Sequence, residues 1–109
     1  MFKMATSPTF WATVLLEATA EDGRRVKGEL ELKYKRKTLD EVQAIMDSED
    51  RKDADIARDI VVDWRKVDDG DGGERQFSLE ALDEILDYGY GGPIVTTYFS
   101  NYPKARVKN

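Results

Sequence analysis

Apolar and polar residues alternate with a period of two along the first third of the chain, which predicts β-strands. Two such runs cover residues 10–20 and 26–35, and this period is what a strand with one buried face requires. In the first run Phe10, Ala12, Val14 and Leu16 alternate with Trp11, Thr13, Leu15 and Glu17, and in the second run Val26, Leu30, Leu32 and Tyr34 share one face. Asp22-Gly23 between the runs favours a type I′ turn, because glycine tolerates positive φ. The pattern therefore predicts an antiparallel hairpin.

From Thr38 onward the apolar spacing changes to three and four residues, which predicts helices. Thr38 and Glu41 form a capping box for the first helix, and Ser78 caps the third. Pro93 suits the first turn of the fourth. The four apolar stripes are Leu39, Val42, Ile45 and Met46; Ile56, Ile60, Val61 and Trp64; Leu79, Leu82, Ile85 and Leu86; and Ile94, Val95, Tyr98, Phe99 and Tyr102. The predicted fold is α+β, an N-terminal antiparallel β-hairpin followed by about four short α-helices.

The length of 109 residues predicts a single domain, since domains usually span about 100–150 residues. We expect an unstructured N-terminal segment over residues 1–8, one α+β domain over 9–103 and a basic tail over 104–109. No apolar run approaches the roughly 20 residues of a membrane span. The start of the chain also lacks the apolar region of a signal peptide.

The composition excludes several kinds of catalytic site. The chain contains no Cys and no His, so thiol nucleophiles, imidazole bases and zinc sites built from these residues are ruled out. Asp83 and Asp87 lie on one predicted helix face, as acids do on most acidic helices, so the pair is no specific sign of a glycosidase site. We therefore expect no enzyme, no catalytic residues and no cofactor.

An acidic, glycine-rich loop at residues 68–74 invites comparison with a calcium site. An EF-hand loop needs oxygen ligands at positions 1, 3 and 5 and glycine at position 6. Counting from Asp69 places Gly73 at position 5 and Glu74 at position 6, and counting from Asp68 places Gly70 at position 3. Both registers fail, so we expect a solvated turn and no metal site.

Charge is distributed unevenly along the chain, whose net charge is −5. Residues 24–37 hold seven bases and two acids, whereas residues 39–87 hold 17 acids and 6 bases. The basic segment leaves open a nucleic-acid-binding module that uses the hairpin and the tail. However, charges of both signs alternate along the outward strand face, which favours a solvated surface over a phosphate-binding one.

Residues 88–102 carry no charge and are rich in aromatic side chains. Such a stretch must pack inside the protein or meet a partner. Core packing accounts for one face of the fourth helix. We expect the rest to contribute a partner-binding surface, with Tyr90, Ile94, Tyr98 and Tyr102 as its candidate residues.

The order of motifs is distinctive. The hairpin ends in Tyr34-Lys35-Arg36-Lys37-Thr38, and Ile60-Val61-Val62-Asp63-Trp64-Arg65-Lys66-Val67-Asp68 precedes the acidic loop. Phe77-Ser78-Leu79-Glu80-Ala81-Leu82 follows that loop, and the chain closes on Lys108-Asn109. Over about residues 9–109 this arrangement resembles the small tail assembly chaperones of long-tailed, siphovirus-type bacteriophages and prophages.

The resemblance implies a non-enzymatic protein of the host bacterial cytoplasm that is absent from the mature virion. It would bind and solubilise the tape-measure protein and assist tail-tube assembly, with the tail-tube subunit as a second partner and no role for nucleic acid or membrane. An acidic body keeps such a complex soluble, and apolar surface can hold an amphipathic helix. A small acidic protein–protein adaptor domain is the alternative, and self-association stays open.

Overall fold

The computed structural model describes residues 7–102, over which the chain forms a three-stranded antiparallel sheet and four helices. The strands are β1 (Thr9–Thr19), β2 (Arg25–Lys35) and β3 (Val61–Arg65), and the helices are α1 (Leu39–Asp47), α2 (Asp53–Ile60), α3 (Leu79–Asp87) and α4 (Gly91–Ser100). The predicted α+β class is confirmed. The predicted basic tail and most of the predicted N-terminal segment lie outside the described residues.

β1 and β2 form the predicted hairpin without any shift in register. Each residue of β1 is paired with one of β2, from Thr9 opposite Lys35 to Thr19 opposite Arg25. The even-numbered residues face the helices, and Val14 and its neighbours on β2 are buried. The period of two in the sequence therefore identifies both strands, and in β2 it also identifies the face that holds the buried Leu30, Leu32 and Tyr34.

The turn of this hairpin differs from the predicted type I′. The Gly23 N–H donates to the Ala20 carbonyl and the Ala20 N–H to the Arg24 carbonyl, which closes a three-residue loop. Gly23 has the expected positive φ of 88°, but Asp22 does not, whereas a type I′ turn needs positive φ at both central residues. The Asp22 carboxylate instead accepts a hydrogen bond from the Arg24 N–H, which holds the longer loop.

The segment after Ile60 is a strand, so the prediction that the second helix runs through Trp64 is wrong. α2 ends at Ile60, and β3 pairs antiparallel with β2 so that Trp64 lies opposite Leu32. A register shift interrupts this pairing near Val61. The expected burial is nevertheless confirmed, because Val61 and Trp64 are both in the core.

The predicted helix caps are present. The Thr38 hydroxyl accepts a hydrogen bond from the Glu41 N–H, and the Glu41 carboxylate accepts one from the Thr38 N–H. Ser78 caps α3 in the same way through its hydroxyl. Leu39 and Leu79, the first residues of α1 and α3, are 40% and 60% exposed. The apolar stripes of these two helices therefore reach the core only after the first helical position.

The helices cover one face of the sheet. α4 packs against β1 and α2, and α2 contacts α3, β2 and β3. A Cβ added to Gly91 would lie 3.3 Å from the Asp53 Cβ, so the glycine at the start of α4 permits its close approach to α2. The fully buried core includes Val14, Leu32, Tyr34, Val42, Ala57, Ile60, Leu82, Ile94 and Tyr98.

The hairpin is longer than the layer that supports it. β3 pairs only with residues 31–34 of β2, and all residues from Arg25 to Glu29 are exposed. We call residues 15–19 and 25–29 the projecting half of the hairpin. Leu15 and Val26 in this half are 72% and 47% exposed, so it has apolar surface available to another molecule.

Candidate functional site

The four candidate partner-binding residues fall into two groups. Ile94 and Tyr98 are 0% exposed, whereas Tyr90 and Tyr102 are partly exposed. The expectation of a contact surface is therefore corrected for Ile94 and Tyr98, because this conformation places both side chains in the core. Their helical spacing reflects core packing, and only Tyr90 and Tyr102 are accessible to a partner.

Tyr98 joins the end of α4 to the connection between β2 and α1. Its ring centroid lies 5.1 Å from that of Tyr34 and 6.0 Å from that of Phe10. Its hydroxyl donates to the Lys35 carbonyl at 2.9 Å, and the Tyr102 hydroxyl lies 3.1 Å away. The Tyr102 hydroxyl oxygen in turn accepts a hydrogen bond from the Lys37 backbone N–H, in the connection between β2 and α1. These contacts fix the position of α4 against the sheet.

Two of the buried phenols have perturbed ionisation. The Tyr34 hydroxyl donates to the Ile94 carbonyl at 2.7 Å. Burial raises the pKa of Tyr34 and of Tyr98 well above the usual tyrosine value, and the hydrogen bond with Tyr102 raises the pKa of Tyr98 further. Both hydroxyls are therefore held in the neutral form as hydrogen-bond donors.

We expect the protein to unfold in alkali because of these two phenols. Above pH of about 10 tyrosines of the unfolded chain ionise, while Tyr34 and Tyr98 of the folded chain keep their protons. The unfolded state then binds fewer protons, so the free energy of unfolding is undiminished below this pH and falls as the pH rises above it. Urea unfolding at several pH values should show this fall.

Phenylalanine variants provide the control for the pH effect. Tyr34→Phe with Tyr98→Phe should be less stable at neutral pH and should lose stability less steeply in alkali. Tyr88→Phe should keep the full slope, since Tyr88 is 82% exposed. If near-ultraviolet absorbance showed all five tyrosines ionising together near pH of about 10 while circular dichroism stayed native, the explanation would be wrong.

An apolar groove lies beneath the projecting half of the hairpin. One wall is the inner face of the hairpin, with Leu16, Val26 and Leu30, and the opposite wall carries Ile85 and Tyr90 together with residues 66–68. Its volume is about 370 Å³. Val26 is 47% exposed, so the groove is open to an incoming side chain. Of the four predicted residues, Tyr90 alone lines it.

The acidic loop borders this groove and satisfies its own polar groups. The Asp68 carboxylate accepts the Gly70 N–H at 2.7 Å, and the Asp69 carboxylate accepts the N–H groups of Asp71 and Gly73. Among residues 7–102, no group of three or more acidic side chains is placed to hold a metal ion. The loop contributes negative charge beside the groove.

Four of the seven cations of the basic segment lie within ion-pair distance of an acid. Its ion pairs are Arg24 with Asp22, Arg25 with Glu17, and both Lys35 and Lys37 with Asp59. The Lys33 ammonium lies 5.9 Å from the centroid of Trp11. A phosphate-binding surface needs cations that are available to the ligand. Most cations of residues 24–37 already contact a carboxylate or an aromatic ring.

Comparison of the chain with protein-family models, with curated proteins and with solved structures finds no match. Within the part that the structure describes, every helix is too short or too polar to cross a membrane.

Proposed function

We propose that this protein is a phage tail assembly chaperone that binds and solubilises the tape-measure protein. It would act in the host bacterial cytoplasm by binding and not by catalysis, assist tail-tube assembly and leave before the virion is complete. The observation that carries the proposal is the apolar groove between the projecting half of the hairpin and α3. The order of sequence motifs supports the choice of partner.

The groove suits the apolar face of an amphipathic helix. Helix-binding grooves accept side chains at helical spacing into a hydrophobic trough, and here the trough has aliphatic walls from Leu16 and Val26 on one side and Ile85 on the other. Tyr90 adds an aromatic surface next to Ile85. A volume of about 370 Å³ accommodates a few side chains, so each copy would contact a short length of the partner.

Many weak contacts along one long partner would produce a stable assembly. Binding of several copies to one chain raises the overall affinity through avidity, without any new contact. The net charge of −5 on each copy would then keep the complex in solution, because a large charge of one sign opposes aggregation. A small domain with a small groove is sufficient for this role.

Co-expression tests the proposal. A tape-measure protein of the same phage or prophage, or a helical fragment of it, should be insoluble alone and soluble when this protein is co-expressed. Val26→Glu should abolish most of that rescue, because it places a carboxylate on the groove wall. Leu79→Glu is the matched control, since Leu79 is also exposed but does not line the groove. Thermal melting should show that both variants are folded.

The outcomes separate the candidate functions. If the two glutamate variants rescue the partner equally well, the groove does not bind the tape-measure protein. If no tape-measure segment forms a complex with the wild-type chain, the chaperone proposal is wrong and the adaptor alternative replaces it. If the complex forms but dissolves in moderate salt while Val26→Glu has no effect, charge and not the groove drives the binding.

A further inference from the structure

β1 is an edge strand that lacks most of the usual protection against pairing. It has β2 on one side and no strand of residues 7–102 on the other. Its sequence, TFWATVLLEAT, contains no proline and no lysine, and its pairing with β2 is continuous over 11 residues without a bulge. Natural proteins protect exposed edges by charged residues, above all lysine, or by proline, bulges, short length or a covering segment. With Glu17 as its single charged residue, an edge of this length is suited to pairing with another strand.

We propose that a second copy of this chain pairs its own β1 with this edge. The two strands would run antiparallel about a two-fold axis at Val14, which joins the two sheets into one six-stranded sheet. Val14 is the central residue of β1, so this register pairs the whole edge, whereas any other leaves part of it uncovered. Closed two-fold association is the commonest form of oligomer.

The outward face of β1 is compatible with itself in this register. Thr13 would lie opposite Leu15 of the second copy, and Trp11 opposite Glu17. Glu17 is the only charged residue of β1, so no like charges face each other. The Arg65 guanidinium lies 4.1 Å from the centroid of Trp11, which places a cation near the Glu17 that would arrive from the second copy.

The inward face provides the reason for choosing a second copy as the occupant. A two-fold axis perpendicular to the sheet keeps both helical layers on the same side. Leu16 and Ala18 of the projecting half would then lie beside Ala12 and Phe10 of the second copy, in the part of β1 against which α4 packs. Apolar side chains would therefore meet apolar side chains across the axis on the inner face, as they do not when an arbitrary extended peptide pairs with this edge.

The test is the mass of the isolated protein in solution, without any tape-measure fragment. Light scattering coupled to gel filtration, from about 1 μM to about 1 mM, should show twice the chain mass. Thr13→Lys combined with Leu15→Lys should weaken the dimer by about tenfold or more, because lysine then faces lysine at both pairs across the axis. Within each chain these lysines lie opposite Glu31 and Glu29, which favours the fold.

Leu79→Lys combined with Tyr88→Lys is the matched control. These residues are exposed on or next to α3, which packs mainly on α2. The two lysines introduced there add the same charge as the test pair and should leave the dimer unchanged.

A wild-type chain that is monomeric at every concentration, or a dimer that both lysine pairs leave intact, would overturn the proposal. So would protection of the β1 amides from hydrogen exchange only after a tape-measure fragment is added, because the occupant would then be a partner strand. Rescue by Val26 variants is measured separately, so the two proposals can fail independently.

Discussion

Replacing Trp64 by alanine is expected to lower the free energy of unfolding by about 3–5 kcal/mol, the usual cost of truncating a buried tryptophan. The side chain is 5% exposed. Its ring packs edge-on against Phe77 at a centroid distance of 5.3 Å, and its indole N–H donates to the Arg75 carbonyl at 2.8 Å. Truncation would leave a cavity between β3 and the segment that leads into α3, and it would remove the donor for that carbonyl.

Urea unfolding followed by circular dichroism, at one fixed protein concentration, measures this effect. A loss of this size is a large share of the roughly 5–15 kcal/mol that holds a small domain folded, so partial unfolding at 37 °C is expected. Val62→Ala is the control on the same strand, because Val62 is 37% exposed. If Trp64→Ala left the stability unchanged and abolished partner binding instead, Trp64 would be a contact residue and its core placement would be wrong.

The third strand shows where periodicity fails as a guide to structure. Residues 60, 61 and 64 have helical spacing, and a continuation of the second helix accounts for all three. In the structure the register shift opposite Lys33 and Tyr34 breaks the alternation of β3, so Val62 is exposed and Trp64 buried as they would be on a helix. A bulge changes the spacing of buried residues, and in five residues the period of two cannot be recognised. The adjacent valines at 61 and 62 were the available signal, since β-branched residues favour strands.

The candidate site was only partly predictable for a similar reason. Spacing identifies which residues share a face, but it does not identify what covers that face. Tyr90 and Tyr98 both belong to the uncharged aromatic segment, yet Tyr98 is fully buried beneath Phe10 and Tyr90 lines the groove. The groove depends on a mismatch in length between the 11-residue strands of the hairpin and the five-residue β3. Because β3 was predicted as a helix, that mismatch could not be anticipated.

Replacing Tyr98 by alanine is expected to lower the free energy of unfolding by about 3–5 kcal/mol, as truncation of a large buried aromatic residue does. The ring lies between Phe10 and Tyr34 in the core, and its hydroxyl satisfies the Lys35 carbonyl. Loss of the side chain would separate α4 from the end of β2 and leave that carbonyl without its donor. The effect should appear as a lower urea midpoint for the whole domain, since α4 packs on both β1 and α2.

Tyr102→Ala and Tyr88→Ala are the control variants for Tyr98→Ala, and both should lower the free energy of unfolding by less. The Tyr102 side chain is partly exposed, and its hydroxyl accepts a hydrogen bond from the Lys37 backbone N–H. Its removal should therefore lower the free energy of unfolding by about 1–2 kcal/mol. Tyr88→Ala should change the stability by less than about 0.5 kcal/mol, as surface substitutions usually do. Since Tyr98 acts through packing, its variant should bind the proposed tape-measure partner as well as the wild-type chain does, at temperatures where circular dichroism shows the variant folded. A Tyr98→Ala protein with wild-type stability that no longer bound the fragment would return Tyr98 to the contact surface and contradict its assignment to the core.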